Sequence, residues 1–290
     1  MRLIFVYFLF VFSVIHIHAQ PIFTEMEEKL AFECDVMMHA YESRFRIQAQ
    51  DRFIDLFNTA LNSEGSFSYP FDSLKWISKL SSDDGRFRIF TWELNINKNE
   101  TKYFGFLQTS DGKTFPLNDH FKIAEDLLTE EFSAQNWLGT TYFKLMPLDT
   151  KDGTCYLLFG KTVWNAIESV KLLDVLFFSK EGKPYFGKPI FQVVHGKETK
   201  LFNRILLKYG SDGFCSLNYN PGLEMIVHDH LIPRMSRIDP NYETYVSDGS
   251  YTGYTWNGNI WVQEPKLKVD VQEQAPRPKP ILDGKNVFGN

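Results

Sequence analysis

"TWNGNIWV", residues 255–262, decides how this chain is read. Asn257-Gly258 is a dipeptide that tolerates the positive φ of a two-residue hairpin loop, which places Trp256 and Trp261 on its two arms. Working outward, the same punctuation recurs at Asp84-Gly85, Asp111-Gly112, Asp152-Gly153, Glu181-Gly182, Asp212-Gly213 and Asp248-Gly249. Between these turns lie "RFRIFTWELNI", "KYFGFLQTS", "TCYLLFGKTVW", "VKLLDVLFF" and "LEMIVHDHL", rich in the aromatic and branched residues that suit a pleated surface. The spacing of the turns is unequal and no motif recurs, which argues against propeller blades. The expected fold is therefore α+β: mainly an antiparallel β-meander, as a sandwich or open barrel, over residues 83–264.

An N-terminal helical segment is expected over 20–82. Thr24 and Glu27 in "TEME" have the form of a capping box. Apolar or small residues then recur at Met26, Leu30, Cys34, Met37, Tyr41, Phe45, Ala49, Phe53, Leu56 and Ala60. Steps of three and four draw one stripe on one long helix running to about Leu61. A short helix is expected near Asp72–Leu80. One inserted helix is expected in "NDHFKIAEDLLTEEFS", with Asn118 as its cap and Phe121, Ala124, Leu127, Leu128 and Phe132 on its apolar side.

The two ends read differently. Arg2 precedes an apolar run, "LIFVYFLFVFSVI", and Ala19 is a small residue suited to cleavage, so residues 1–19 read as a secretory signal peptide. The run is shorter than the ~20 residues of a membrane span. Residues 265–290 hold four of the 13 prolines and few core residues, and read as a flexible tail. An apolar fraction of 43% with 27 Phe excludes a disordered chain. A net charge of −5 argues against a nucleic-acid partner. Of the three cysteines, Cys155 and Cys215 lie in strand-like stretches and form the natural pair if a bridge exists; three buried thiols are the alternative. No spacing indicates a cofactor.

"WLGTTYFKLMPLD", "LLDVLFFSKEGKPYFGKPIF", "RILLKYGSDGFCSLNYNPGLEMIVHDHLIPR" and "DGSYTGYTWNGNIWV", in that order, resemble secreted, functionally uncharacterised proteins of Bacteroidetes-type bacteria. The resemblance spans roughly Phe87 to Pro265. It implies export to the periplasm or cell exterior and a shared β-rich architecture. Asp229-His230-Leu231 fits the family's pattern, whereas His228 departs from it.

Chemistry concentrates in "LEMIVHDHLIPR", residues 223–234. Strand alternation puts Leu223, Met225, Val227, Asp229 and Leu231 on one face, and Glu224, Ile226, His228, His230 and Ile232 on the other. His228 and His230 with Glu224 have the types needed for a metal-assisted hydrolase, with His195 and His120 as further ligands by type alone. The alternative is a half-exposed sheet face with hydrogen-bonded histidines. Asp229 on the apolar face requires a partner, for which Arg234 and Arg237 are nearest. Tyr242, Tyr245, Tyr251, Tyr254, Trp256 and Trp261 form an aromatic group suited to stacking on a sugar or peptide, or to packing the core. The leading expectation is a non-enzymatic exported binding or structural protein of the cell envelope, without a cofactor and without a membrane span once the signal is removed. Its binding residues would be Asp229, His230, Tyr251, Tyr254, Trp256 and Trp261, and its partner a glycan or envelope protein.

Overall fold

The computed structural model describes residues 22–120, 126–195 and 198–267. Helix α1 covers 22–39 and α2 covers Ser43–Leu61. Leu30, Cys34 and Met37 of α1 and Ala49, Phe53 and Ala60 of α2 are buried, as the stripe requires, while Met26 and Leu56 are only half-buried and Phe23 and Phe57, off the stripe, are buried. The single long helix is nonetheless broken at 40–42. Tyr41, which the stripe would place inward, is almost fully exposed, and Phe45 is also exposed. Arg46 holds the corner, donating to Ala40 O and Tyr41 O at the end of α1 and to Asn95 O and Ile96 O of the neighbouring sheet. Those bonds satisfy carbonyls that a helix end leaves orphaned. The capping box does not form as expected. Thr24 lies inside α1, and Glu27 accepts from Tyr69 Oη and Ser73 N instead.

Sixteen strands follow among the described residues, in three stacked sheets. The first is a meander of β1 (Ser78–Ser81), β2 (Phe87–Asn97), β3 (Glu100–Thr109) and β4 (Thr114–Asn118). Period-two alternation gives it two apolar faces. Phe90, Trp92, Leu94 and Phe106 pack against the helices, while Phe87, Ile89, Tyr103 and Leu107 face the second sheet.

That second sheet runs β5 (Phe132–Ser133), β9 (Pro184–Phe186), β8 (Glu168–Phe178), β7 (Gly153–Val163) and β6 (Thr141–Thr150), with β12 (Ile205–Gly210) also paired to β8. It is buried on both sides, which explains the unbroken apolar run of β7. Tyr156 and Leu158 point to the first sheet, and Cys155, Leu157 and Phe159 to the third. The third sheet has the order β11 (Glu198–Phe202), β10 (Phe191–His195), β16 (Trp261–Glu264), β15 (Glu243–Trp256), β14 (Met225–Met235), β13 (Leu217–Asn220). The α+β, mainly antiparallel architecture is thus the one expected, built from open sheets and not from a closed barrel. Among the described residues no helix is long and apolar enough to cross a membrane.

Local expectations fare unevenly. The hairpin at 255–262 forms, with Trp256 opposite Trp261, but its loop has four residues instead of two. Asn257 explains this, because its side-chain oxygen accepts from both Asn259 N and Ile260 N and so holds a wider turn. Residues 72–77 form turns that lead into β1, to which 78–80 already belong, and not a helix. The inserted helix does not form over its described part. Asn118 ends β4, 127–129 are a turn, and Phe132–Ser133 is β5; residues 121–125 lie outside the described residues. Asp126 organises that turn by accepting from Leu128 N and Thr129 N. Cys34, Cys155 and Cys215 are buried free thiols.

A buried ion pair ties the second sheet to its loops. Arg204 Nε lies 3.2 Å from Asp174 Oδ1, both side chains fully buried. The guanidinium also donates to Leu127 O, Glu130 O and Phe186 O, and lies over the Phe132 ring. Gly187, at φ +92°, leaves it room, since a Cβ there would overlap Arg204 Nη2. Glu168 forms a second buried hub, accepting from Tyr242 Oη and pairing with Lys208 Nζ at 3.2 Å.

Candidate functional site: the His228–His230 pocket

Strand β14 carries "MIVHDHLIPRM" between β13 and β15. Both faces of the strand are buried in part, Met225 and Asp229 on one and Ile226 and His228 on the other, so the carboxylate of Asp229 is buried as expected and the histidine face is more covered than expected. Ile226 is fully buried against the second sheet and His228 nearly so, whereas Leu223 is exposed. The histidine-bearing face therefore looks inward, and the ring of His228 packs against Tyr254 of β15 at 5.8 Å.

His228 Nδ1 lies 2.7 Å from the main-chain oxygen of Asp229. A carbonyl oxygen only accepts, so Nδ1 carries the hydrogen and the neutral ring keeps its lone pair on Nε2. That Nε2 is buried and has no hydrogen-bond partner. Burial pushes the His228 pKa down, opposed by the Asp229 carbonyl and carboxylate and assisted by His230, so the free base is the resting form at neutral pH.

His228 and His230 line one pocket of about 320 Å³, where β14 and β15 meet β12 and β16. Tyr245, Thr252, Gln263 and Lys208 complete its polar wall. The Thr252 hydroxyl donates to Pro265 O, Gln263 Oε1 accepts from Val194 N, and Lys208 is paired with Glu168. His228 is thus the polar group in this wall with an unused buried valence. A larger hollow of about 530 Å³ lies beside Arg46 and Ser211, but the Arg46 guanidinium is committed to four main-chain oxygens.

Other residues singled out in the sequence lie apart from the pocket. Glu224 does not join the histidines. It sits in the turn before β14 at φ +53°, with its side chain exposed. Asp229 finds a main-chain partner instead of an arginine. Its Oδ2 accepts from Ser216 N at 2.7 Å, while Arg234 and Arg237 both turn to Asp212. Tyr254 and Trp261 belong to the core between the second and third sheets, with Trp256 packed against it, so these three form no stacking surface. Tyr251 is half-buried on β15 opposite Asp229. Of the aromatic group, Tyr245 reaches the pocket and Tyr242 is bonded to Glu168. His120 lines a separate hollow beside Asp119, and the His195 side chain lies outside the described residues. Lys208, Thr252 and Gln263 carry no local signature, because three different strands bring them to β14.

Among the described residues no three His, Cys, Asp or Glu side chains gather as a metal site. No protein family, curated protein or solved structure matches the chain.

Proposed function

We propose that the chain is a non-enzymatic binding protein of the cell envelope, exported to the periplasm or cell exterior, that takes a polar ligand in the His228–His230 pocket. The observation that carries this reading is the buried Nε2 of His228, a lone pair without a donor in a residue that lines a surface pocket. A buried polar atom without a partner is a cost in folding, of order 1–3 kcal/mol, that a bound partner relieves. Export rests on residues 1–19 and on the resemblance to secreted Bacteroidetes-type proteins. The hydrolase reading is the weaker one, because Glu224, which would have served as its base, faces solvent in a turn.

Glycan and peptide arrays probed with wild type, His230→Ala and Tyr245→Ala test the binding reading. A ligand retained by the wild type and lost by both variants is the expected result. A ligand that both variants retain would move the site elsewhere. Fractionation of expressing cells tests export, where cytoplasmic protein still bearing residues 1–19 would overturn it.

A further inference from the structure

We infer that the His228–His230 pocket binds a divalent transition-metal ion of the imidazole-preferring class, such as zinc or copper, through His228 Nε2 and the His230 ring. This rests on the binding reading above and names its ligand. Three observations support it. First, the tautomer is set for ligation. Metal-binding histidines commonly donate their second ring N–H to a carbonyl or carboxylate, which fixes the ring and aims the free lone pair, and His228 Nδ1 does this to Asp229 O at 2.7 Å. Second, that lone pair is nine-tenths buried with its residue and unclaimed by any protein donor. Third, the spacing of two along β14 places both histidines on one face, and both residues line the same pocket.

The rest of the wall tolerates a cation. The Thr252 hydroxyl gives its hydrogen to Pro265 O and so keeps only acceptor capacity. Lys208, the one cationic side chain of the wall, is neutralised by the buried Glu168. With two protein ligands, the ion's other positions fall to water or to an oxygen of a larger ligand. Structural zinc sites close all four positions with protein, so a two-histidine site would leave positions at which an external ligand can bind.

The test uses untagged protein beginning at Gln20, which lacks His16 and His18, stripped with a chelator. Zinc is titrated calorimetrically and cobalt by its visible absorption. The expected result is one equivalent per chain, weakened about tenfold or more in His228→Ala and in His230→Ala. His39→Ala, in the exposed part of α1, should be indistinguishable from wild type. Circular dichroism checks folding. If His228→Ala is unfolded, His230→Ala, only half-buried, decides alone. Absence of uptake, or uptake unchanged in His230→Ala, overturns the metal assignment. If an array ligand is then still lost in His230→Ala and Tyr245→Ala, the binding reading stands without the metal; if no ligand of either kind binds, both fall.

Discussion

Replacing Arg204 by Met removes one partner of the buried pair while keeping most of the side chain's apolar length. Four groups lose a donor at once: the Asp174 carboxylate and the oxygens of Leu127, Glu130 and Phe186. Removing one member of a buried pair costs about 3–5 kcal/mol, because the remaining charge is stranded in a medium that solvates it poorly. For a chain of this size that corresponds to a fall in melting temperature of roughly 10 °C. The pH dependence gives the reasoning a sharper test. Burial raises the Asp174 pKa, and Arg204 opposes that rise. A group that binds its proton more tightly folded than unfolded contributes stability in acid and loses it as pH rises through the folded value. Without Arg204 the raised value climbs further, so the deficit of the variant should shrink between about pH 8 and pH 5. Adding Asp174→Asn should recover much of it at the higher pH. Urea unfolding followed by tryptophan fluorescence measures all three species. A deficit below about 1 kcal/mol, one equal at both pH values, or a double variant no better than Arg204→Met would refute the argument.

Two further outcomes follow from the same burial. Burial pushes the thiols of Cys34 and Cys155 up to about 11 and that of Cys215 up to about 12, so a disulfide exchange reagent at neutral pH should label none in the native protein and all three after denaturation. Rapid labelling of a native thiol would contradict the packing of that layer. His228 has the opposite sign to Asp174. Its folded pKa is lowered, so its contribution is present above the usual histidine range and is lost as pH falls through it. Stability should therefore decline more steeply between about pH 7 and pH 5 in wild type than in His228→Gln, and parallel curves would count against a neutral buried ring.

Features carried by short-range rules were legible in the sequence. The Trp256–Trp261 hairpin, the strands around it and the helical stripes at 30–37 and 49–60 follow from turn chemistry and periodicity. Failures occur where a distant group intervenes. Nothing between Tyr41 and Phe45 announces that Arg46 will reach the carbonyls of Asn95 and Ile96 and fix a corner there. Glu27 has the right spacing for a cap, yet Tyr69 and Ser73 claim it from 42 and 46 residues away. The burial of Asp229 on β14 was legible from alternation, but that of His228 was not, because alternation separates two sides without saying that neighbouring strands cover both. His228 and His230 were visible as a pair, but their pocket draws on β12, β15 and β16. Its decisive feature, the idle Nε2, is a property of packing alone.

The order of the third sheet has a consequence for synthesis. Its last strand in sequence, β16, is interior in space. Trp261 and Val262 pair in parallel with Phe191 and Gln192 on one side, while residues 261–264 pair antiparallel with β15 on the other. Among the described residues the hairpin of β10 and β11 is joined in the sheet to β13–β15 through this four-residue strand. As the chain emerges on the side where it folds, the sheet must wait in two halves until residues near 264 arrive, exposing the apolar face of the second sheet meanwhile. A chain stopped at Trp256 would thus lose more than a terminus, since it would lack the strand that joins the two halves.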